Sequence, residues 1–403
     1  MGCKVTYIPL GELAKFESGG TPSKKEERYW NGTIPWISAK TLVGDAVCKG
    51  DLFITKQGLD AGGKLAPKGS LLLLTRGSGL LKRIPLAIAE KDVAYNQDIK
   101  CIEATAEGIS NRYLFYTLKA LEPAISAMLE TTGIGAGKLA TDRLKALRIP
   151  VLDEAARLRV TYIADCINSK LSLNTKLNGY LEELARAVYV SAMQEHADIA
   201  SLCDLAEFNP ETYSPKENWS AVSYIDTSAL MLNDLAGLQH FNPAEEKLPT
   251  RARRKVSNGD ILYSTVRPNQ NHYGLLYSPE PHTLASTAFA VIRPNDTIMS
   301  PLVYLALTDA RITKTLQQLA ETSTSTIPSI RPVDLERIAV LVPSDEYGSE
   351  IADQIGTTFK QIDCNKRENR KLAAFRDALL PKLMSGEIDV SKIDLTQLNS
   401  HLT

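Results

Sequence analysis

Apolar and polar positions alternate in two distinct rhythms along this chain, and the rhythms recur in the same order twice. Short β-rich runs come first, separated by Gly- and Pro-rich loops: Ile34–Ser38, the almost wholly apolar Ser70-Leu-Leu-Leu-Leu-Thr75, and Ile99–Ile102. A continuous apolar run bounded by turn residues suits a strand covered on both faces. A helix is predicted around Arg112–Leu129, where apolar residues fall at helical spacing. From Asp153 to Met193 the pattern becomes one long helix with no proline and a single glycine, Gly179. The plan then repeats. Ser223–Asp226 stands in the place of Ile34–Ser38, Gly259–Thr265 in that of Gly69–Thr75, and Ser300-Pro-Leu-Val-Tyr-Leu in that of Ser110-Asn-Arg-Tyr-Leu. A second long helix is predicted over Glu346–Met384, breaking at Pro381 or shortly after it, where the ring removes a donor.

The repeat is visible in the letters as well. Leu10-Gly-Glu-Leu-Ala-Lys-Phe16 returns as Leu202-Cys-Asp-Leu-Ala-Glu-Phe208, about 191 residues on, and Leu144–Val151 returns from Leu335 without a gap. That period is too long for a solenoid. It predicts two copies of a domain-plus-helix unit with these bounds: a first domain 1–143, a first helix 144–196, a second domain 197–334, and a second helix with a polar tail 335–403. The fold class expected is α+β, two mixed α/β domains joined by two long antiparallel coiled-coil helices. A helix of about 38 residues would span close to 57 Å and act as a rigid spacer.

Each helix carries a seam at 3/4 spacing. The first passes through Val160, Ile163, Ile167, Lys170, Asn174, Leu177, Leu181, Leu184 and Val188; the second through Ile351, Ile355, Thr358, Ile362, Asn365, Asn369, Leu372 and Leu379. Both are apolar at the ends and polar in the middle. Asn174 and Asn365 occupy equivalent repeat positions, so in an antiparallel pair they are expected close together, fixing register at some cost in stability. A merely solvated middle is the alternative.

Bulk properties narrow the class without settling it. The 403 residues, 44% hydrophobic with formal charge −1, suit two or three soluble domains. The expectation is a cytoplasmic protein: no apolar run is long enough for a membrane span, the N-terminus lacks a signal-peptide pattern, and the six scattered cysteines include no C-x-x-C pair. Charge is uneven. Residues 1–143 hold 19 Lys and Arg against 15 Asp and Glu, and residues 197–334 hold 11 against 15. The second segment nevertheless contains the cluster Arg251-Ala-Arg253-Arg254-Lys255, and electrostatic DNA binding needs a local positive face rather than a basic total.

Several chemistries are not supported. The nearest approach to an amino-methyltransferase loop, Phe208-Asn-Pro-Glu211, lacks its second proline and aromatic residue. Gly133-Ile-Gly-Ala-Gly-Lys138 fails as a P-loop because Thr132 and Leu139 stand where Gly and Ser/Thr are needed. The five histidines show no ligand spacing, so neither catalytic nor metal residues are assigned.

What remains are loops rich in groups that contact phosphates and base edges. Ser18-Gly-Gly-Thr21-Pro-Ser23-Lys24-Lys25 offers N–H groups, hydroxyls and two cations, and Lys40 follows the next predicted strand. Arg76 and Ser78 leave the end of the apolar strand, and their counterpart is Thr265-Val-Arg267-Pro-Asn269-Gln-Asn271-His272. Arg pairs with guanine and Asn or Gln with adenine in the major groove; Pro and Asn also serve turn geometry alone. Arg251, Arg253, Arg254 and Lys255 suit phosphate contacts, or a solvated basic surface. A third loop pair, Thr131–Lys138 and Glu321–Ile327, suits either backbone packing on DNA or a tight chain path.

Taken together, these features resemble the DNA-specificity subunits of type I restriction–modification systems. The resemblance rests on Ile8-Pro-Leu-Gly-Glu-Leu13 followed by Ser18–Ser23, then Ile34-Pro-Trp-Ile-Ser38, the lead from Leu144 to Ile149-Pro-Val151 into a long helix, and the ending Leu380-Pro-Lys-Leu-Met-Ser-Gly-Glu-Ile388. It implies a non-catalytic chain with two target-recognition domains, each reading half of a bipartite, asymmetric site in double-stranded DNA. It also implies two modification (methyltransferase) subunits docked on the helices, which methylate adenine with S-adenosylmethionine bound to themselves; no cofactor is held by this chain. Restriction (translocase–nuclease) subunits join such complexes. The second half departs from the pattern, with Asn209-Pro-Glu-Thr-Tyr-Ser214 in place of the glycine loop, which implies that the two domains read different sequences. The competing expectations are a duplicated protein-binding scaffold and a nuclease with a diffuse metal site.

Overall fold

The computed structural model describes residues 5–131, 135–195, 197–323 and 327–393. The chain divides into two units, residues 1–173 with 369–403, and residues 174–368.

In the first unit, Thr6–Pro9 pairs antiparallel with Arg148–Val151, tying the start of the domain to the strand that leads into the long helix. Two larger sheets follow. One has the order Ala14–Ser18, Ile99–Ala104, Leu71–Leu74, Leu86–Ala89, Ala46–Val47; the other runs Leu52–Ile54, Trp30–Ile37, Val93–Tyr95, Leu65–Ala66, with its central pair parallel. Leu71 to Leu74 are all fully buried. They share one hydrophobic cluster with Val93 and Tyr95 of the other sheet and with Tyr113, Leu114 and Phe115 of a helix over Asn111–Ala120. Burial on both faces explains why this strand has no polar alternation.

That helix is capped by the Ser110 hydroxyl, which accepts from the Tyr113 N–H at 3.1 Å. It is shorter than the Arg112–Leu129 expected. It stops at Ala120, and a separate short helix over Glu122–Ser126 carries Pro123 in its first turn, the position where a missing N–H matters least.

The second unit repeats the first. Ala197–Ser201 pairs with Ala339–Pro343. One sheet runs Ala206–Phe208, Phe289–Pro294, Ile261–Ser264, Tyr273–Leu275; the other runs Gln239–Phe241, Val222–Ile225, Thr283–Ser286, Ala252–Lys255, again with a parallel central pair. A helix over Ser300–Leu307, buried along its whole length, takes the place of Asn111–Ala120. Its Tyr304 meets Phe359 of the second long helix edge-to-face at 5.4 Å.

The long helices span Glu154–Glu195 and Asp345–Met384. The second continues one turn past Pro381. In each unit they run antiparallel. In the first, Asn168 meets Arg376 and the Leu171 carbonyl meets Asn369; in the second, Asn174 meets Glu368 and Asn178 meets Asn365. Val160, Ile163, Ile167 and Asn174 are buried as the seam requires, but Leu177 and Leu184 are exposed, and Ala185 and Tyr189 are buried in their stead. The 29-residue separation between Val160 and Tyr189 makes about eight turns at 3.6 residues each. The buried stripe therefore follows the period of a straight helix, and a 3.5-residue seam drifts off it by about 20° per heptad.

Candidate nucleic-acid interface

The glycine loop of the first unit turns out to be a packing device. Gly20 N–H donates to the Tyr95 carbonyl at 2.9 Å and Gly19 N–H to that of Ile99 at 3.3 Å, so neither is free for a phosphate. A Cβ on Gly19 would lie 2.1 Å from the Asn96 carbonyl oxygen, and one on Gly20 1.9 Å from that of Gly62. Only glycine allows this approach. It brings Thr21 to Gln97, where the hydroxyl donates to Oε1 at 2.6 Å. Beyond it Ser23, Lys24 and Lys25 are exposed, with the Ser23 hydroxyl accepting from the Lys25 N–H. Lys40 is exposed and faces Asp51 at 3.4 Å. Thr21, Lys24, Lys40, Trp36, Asn96 and Gln97 are among the residues lining a cavity of about 580 Å³.

Arg76 and Arg267, 191 residues apart, lie at corresponding places in the two units. Arg76 pairs with Lys138 across a short antiparallel ladder, and Val266 bridges Ser329, the residue 191 positions beyond Lys138. Both arginines are exposed and free of ion pairs among the described residues; Ser78 beside Arg76 is exposed as well. Arg267 has φ +47 and Asn271 φ +56. A left-handed conformation at a β-unbranched but bulky residue is uncommon, and such strain concentrates at functional loops. The Arg267 N–H donates to the Pro328 carbonyl, which holds the turn. Asn269 is exposed, and its backbone N–H donates to Gln317. His272 approaches the Leu230 carbonyl through Nδ1 at 2.7 Å, so Nδ1–H is the donor of this contact.

Of the run Arg251–Lys255, residues Ala252–Lys255 form a strand, so their side chains do not all share one face. Arg251 is exposed. Arg253 lines a cavity of about 500 Å³ with Lys247 and Asn218. The Arg254 guanidinium is half-buried; desolvation lowers its pKa, and its Nε has no hydrogen-bond partner. Lys255 bonds Glu217 at 2.7 Å and lies over the Trp219 ring, and this hydrogen bond holds the Glu217 carboxyl below its usual range. The turn entering the central strand is anchored by Asp260, fully buried, whose carboxylate takes a two-pronged contact from Arg293 at 2.8 and 3.0 Å. Those bonds raise the Arg293 pKa despite partial burial.

In place of the glycine loop the second unit has Asn209, at φ +51, whose backbone N–H and side-chain Oδ1 both engage Val291. Asn174 and Asn365 are both buried. The Asn174 amide donates to Glu368 at 2.7 Å and that of Asn365 to Asn178 at 2.8 Å, each across the helix pair. Of the third loop pair, Thr132–Ile134 and Thr324–Thr326 lie outside the described residues. Sequence reasoning missed Trp36, Asn96 and Gln97. The signal available was Asn96-Gln97-Asp98 after an apolar strand, the same residue types that drew attention at Asn269–Asn271. Among the described residues there is no cluster of potential metal ligands, and no helix is long and apolar enough to cross a membrane.

These features define a class, an internally duplicated chain in which two α+β domains alternate with two long helices. Residues 4–182 match the family described as the type I restriction modification DNA specificity domain. The chain is 30% identical over 193 residues to the specificity subunit of the type I restriction enzyme EcoR124I/EcoR124II of Escherichia coli, a match covering 47% of this chain and 46% of that one. It is 21% identical over 415 residues to the MjaIX specificity subunit of Methanocaldococcus jannaschii, covering 95% and 93%. The match thus spans about half the length of the first relative and nearly all of the second. In structure, the chain is similar to the type I restriction–modification S subunit from M. genitalium, with a TM-score of 0.56, 16% identity, and 94% and 96% of the two chains covered. The family match thus lies largely in the first unit, over residues 4–182, while the likeness to the MjaIX specificity subunit runs along nearly the whole chain.

Proposed function

We propose that this chain is the sequence-reading subunit of an adenine methyltransferase complex. Each domain reads one half of a bipartite, asymmetric site in double-stranded DNA, and the long helices set the unread spacer. The observation that carries this reading is that Arg76 and Arg267 are both exposed at corresponding places, Arg76 on the bridge to Lys138 and Arg267 next to the Val266–Ser329 bridge, in two domains of closely similar sheet order. Two like domains with different loops suit two different half-sites. Arginine suits bidentate contacts to guanine, and flanking cations such as Lys24, Lys25 and Arg251 suit phosphates.

The chemistry belongs, in this reading, to two modification subunits that bind S-adenosylmethionine; this chain contributes no catalytic step, and translocase–nuclease subunits join for restriction. Leu177, Tyr180 and Leu184 form an exposed apolar stripe on the first long helix, 41, 68 and 55% accessible, which suits docking of a modification subunit. The test is a genome-wide map of modified adenines with and without this chain. Loss of modification at one bipartite motif is expected; an unchanged map from an actively expressed system overturns the proposal.

A further inference from the structure

The loop between the strands Val93–Tyr95 and Ile99–Ala104 is rigid. Asn96 is buried; its amide donates to the Asp98 carboxylate and its Oδ1 accepts the Asp98 N–H, each at 3.2 Å. The Asp98 carbonyl accepts from both the backbone and the hydroxyl of Thr75, at 2.8 and 3.0 Å. Asn96 is therefore spent on the loop itself. Gln97, at the tip, is exposed. Its amide is nevertheless held by the Thr21 hydroxyl at 2.6 Å. Thr21 is itself fixed from behind, since Gly20 bonds the Tyr95 carbonyl and the Trp36 indole donates to the Gly20 carbonyl at 3.1 Å.

Fixing an exposed glutamine sacrifices much rotamer freedom for one water-competed hydrogen bond, a poor exchange for the stability of the fold. It is a good arrangement for binding, because the side chain no longer has to be ordered when its partner arrives. With Thr21 on one lone pair of Oε1, the amide still offers one acceptor site beside two Nε2 donors. That acceptor–donor pair is complementary to N6–H and N7 of adenine in the major groove. Lys24, on the wall of the same cavity, supplies positive charge for the adjoining backbone.

We propose that Gln97 reads an adenine in the half-site bound by the first domain, with Thr21 as its positioning residue. The inference rests on the DNA-reading function above and names a specificity residue for it. The Ser-Gly-Gly-Thr segment then serves to bring Thr21 within reach of Gln97, rather than to cradle a phosphate.

The test is selection of a randomised duplex oligonucleotide pool by the full-length chain and its variants. The wild type is expected to enrich a bipartite motif. Gln97→Ala should relax one A·T column in one half by roughly tenfold or more, with the other half and the salt dependence unchanged. Thr21→Val should relax the same column less, and Thr21→Ser should restore it, which loss of packing alone would not allow. An unaltered motif in Gln97→Ala, a relaxed column that is G·C, or an equal loss on every sequence overturns the inference and leaves DNA reading standing. A wild-type chain that enriches no motif overturns the function itself.

Discussion

Arg267 departs from ordinary backbone geometry in a loop that the repeat already marks. Its left-handed φ is maintained by hydrogen bonds on either side of it, and its guanidinium is left exposed. Replacing it with Lys keeps the charge but removes the fork. Arg267→Lys is expected to leave the salt dependence of binding unchanged and to weaken discrimination at one base pair by roughly 1–3 kcal/mol, measured by competition between duplexes. Equal weakening on all duplexes would mark a phosphate contact instead. Arg293 has a different role: it compensates a carboxylate with no solvent of its own. Arg293→Met strands Asp260 and should destabilise the second unit by about 3–5 kcal/mol in denaturant unfolding, while adding Asp260→Asn should recover part of that loss.

At the scale of elements, the helix seam shows both what a pattern conveys and where it misleads. Val160, Ile163 and Ile167 were legible because polar and apolar residues fell at helical spacing. Leu177 and Leu184 were misplaced because a 3.5-residue template and a 3.6-residue helix diverge slowly, and no single residue announces the drift. Contacts of the second helix were less legible still. Arg376 is largely buried and bonds Asp45, Asp377 and Asn168, while Asp45 also meets Lys119 at 2.8 Å. Burial pushes the Asp45 pKa up, but Lys119 and Arg376 more than offset this and hold it below the usual carboxylate range. A depressed folded pKa contributes stability above the unfolded value, near 3.9, and that contribution is lost as pH falls through the lower folded value. The stability gap between wild type and Asp45→Asn should therefore be constant near neutral pH and shrink below about pH 4, measured by denaturant unfolding across pH. A gap that is flat down to pH 2 would contradict the ion pairing.

For the molecule as a whole, duplication makes two halves that share a frame and differ in what they expose. The proposed spacer role gives a geometric expectation. One heptad inserted in each long helix adds about 10 Å, or roughly three base pairs, to the unread segment while leaving both half-sites intact. Changed half-sites would dispose of the ruler. Tyr180→Glu, on the exposed stripe, should leave DNA selection by the free chain unaltered and weaken capture of the modification subunit in co-purification. Full capture would place docking elsewhere.

The sequence by itself determined the repeat, its period, the two long helices and the buried central strand, because each follows from local periodicity or from direct comparison of letters. It also located Arg76 and Arg267, since equivalent positions in a repeat occupy equivalent places in the fold. Only the tertiary structure decided which polar groups are still available. Gly19 and Gly20 give their N–H groups to the neighbouring loop, Lys255 to Glu217, and Asn96 to Asp98, whereas Gln97 is left held and exposed. Hydrogen-bond partners distant in the chain make that division, and no spacing rule counts them.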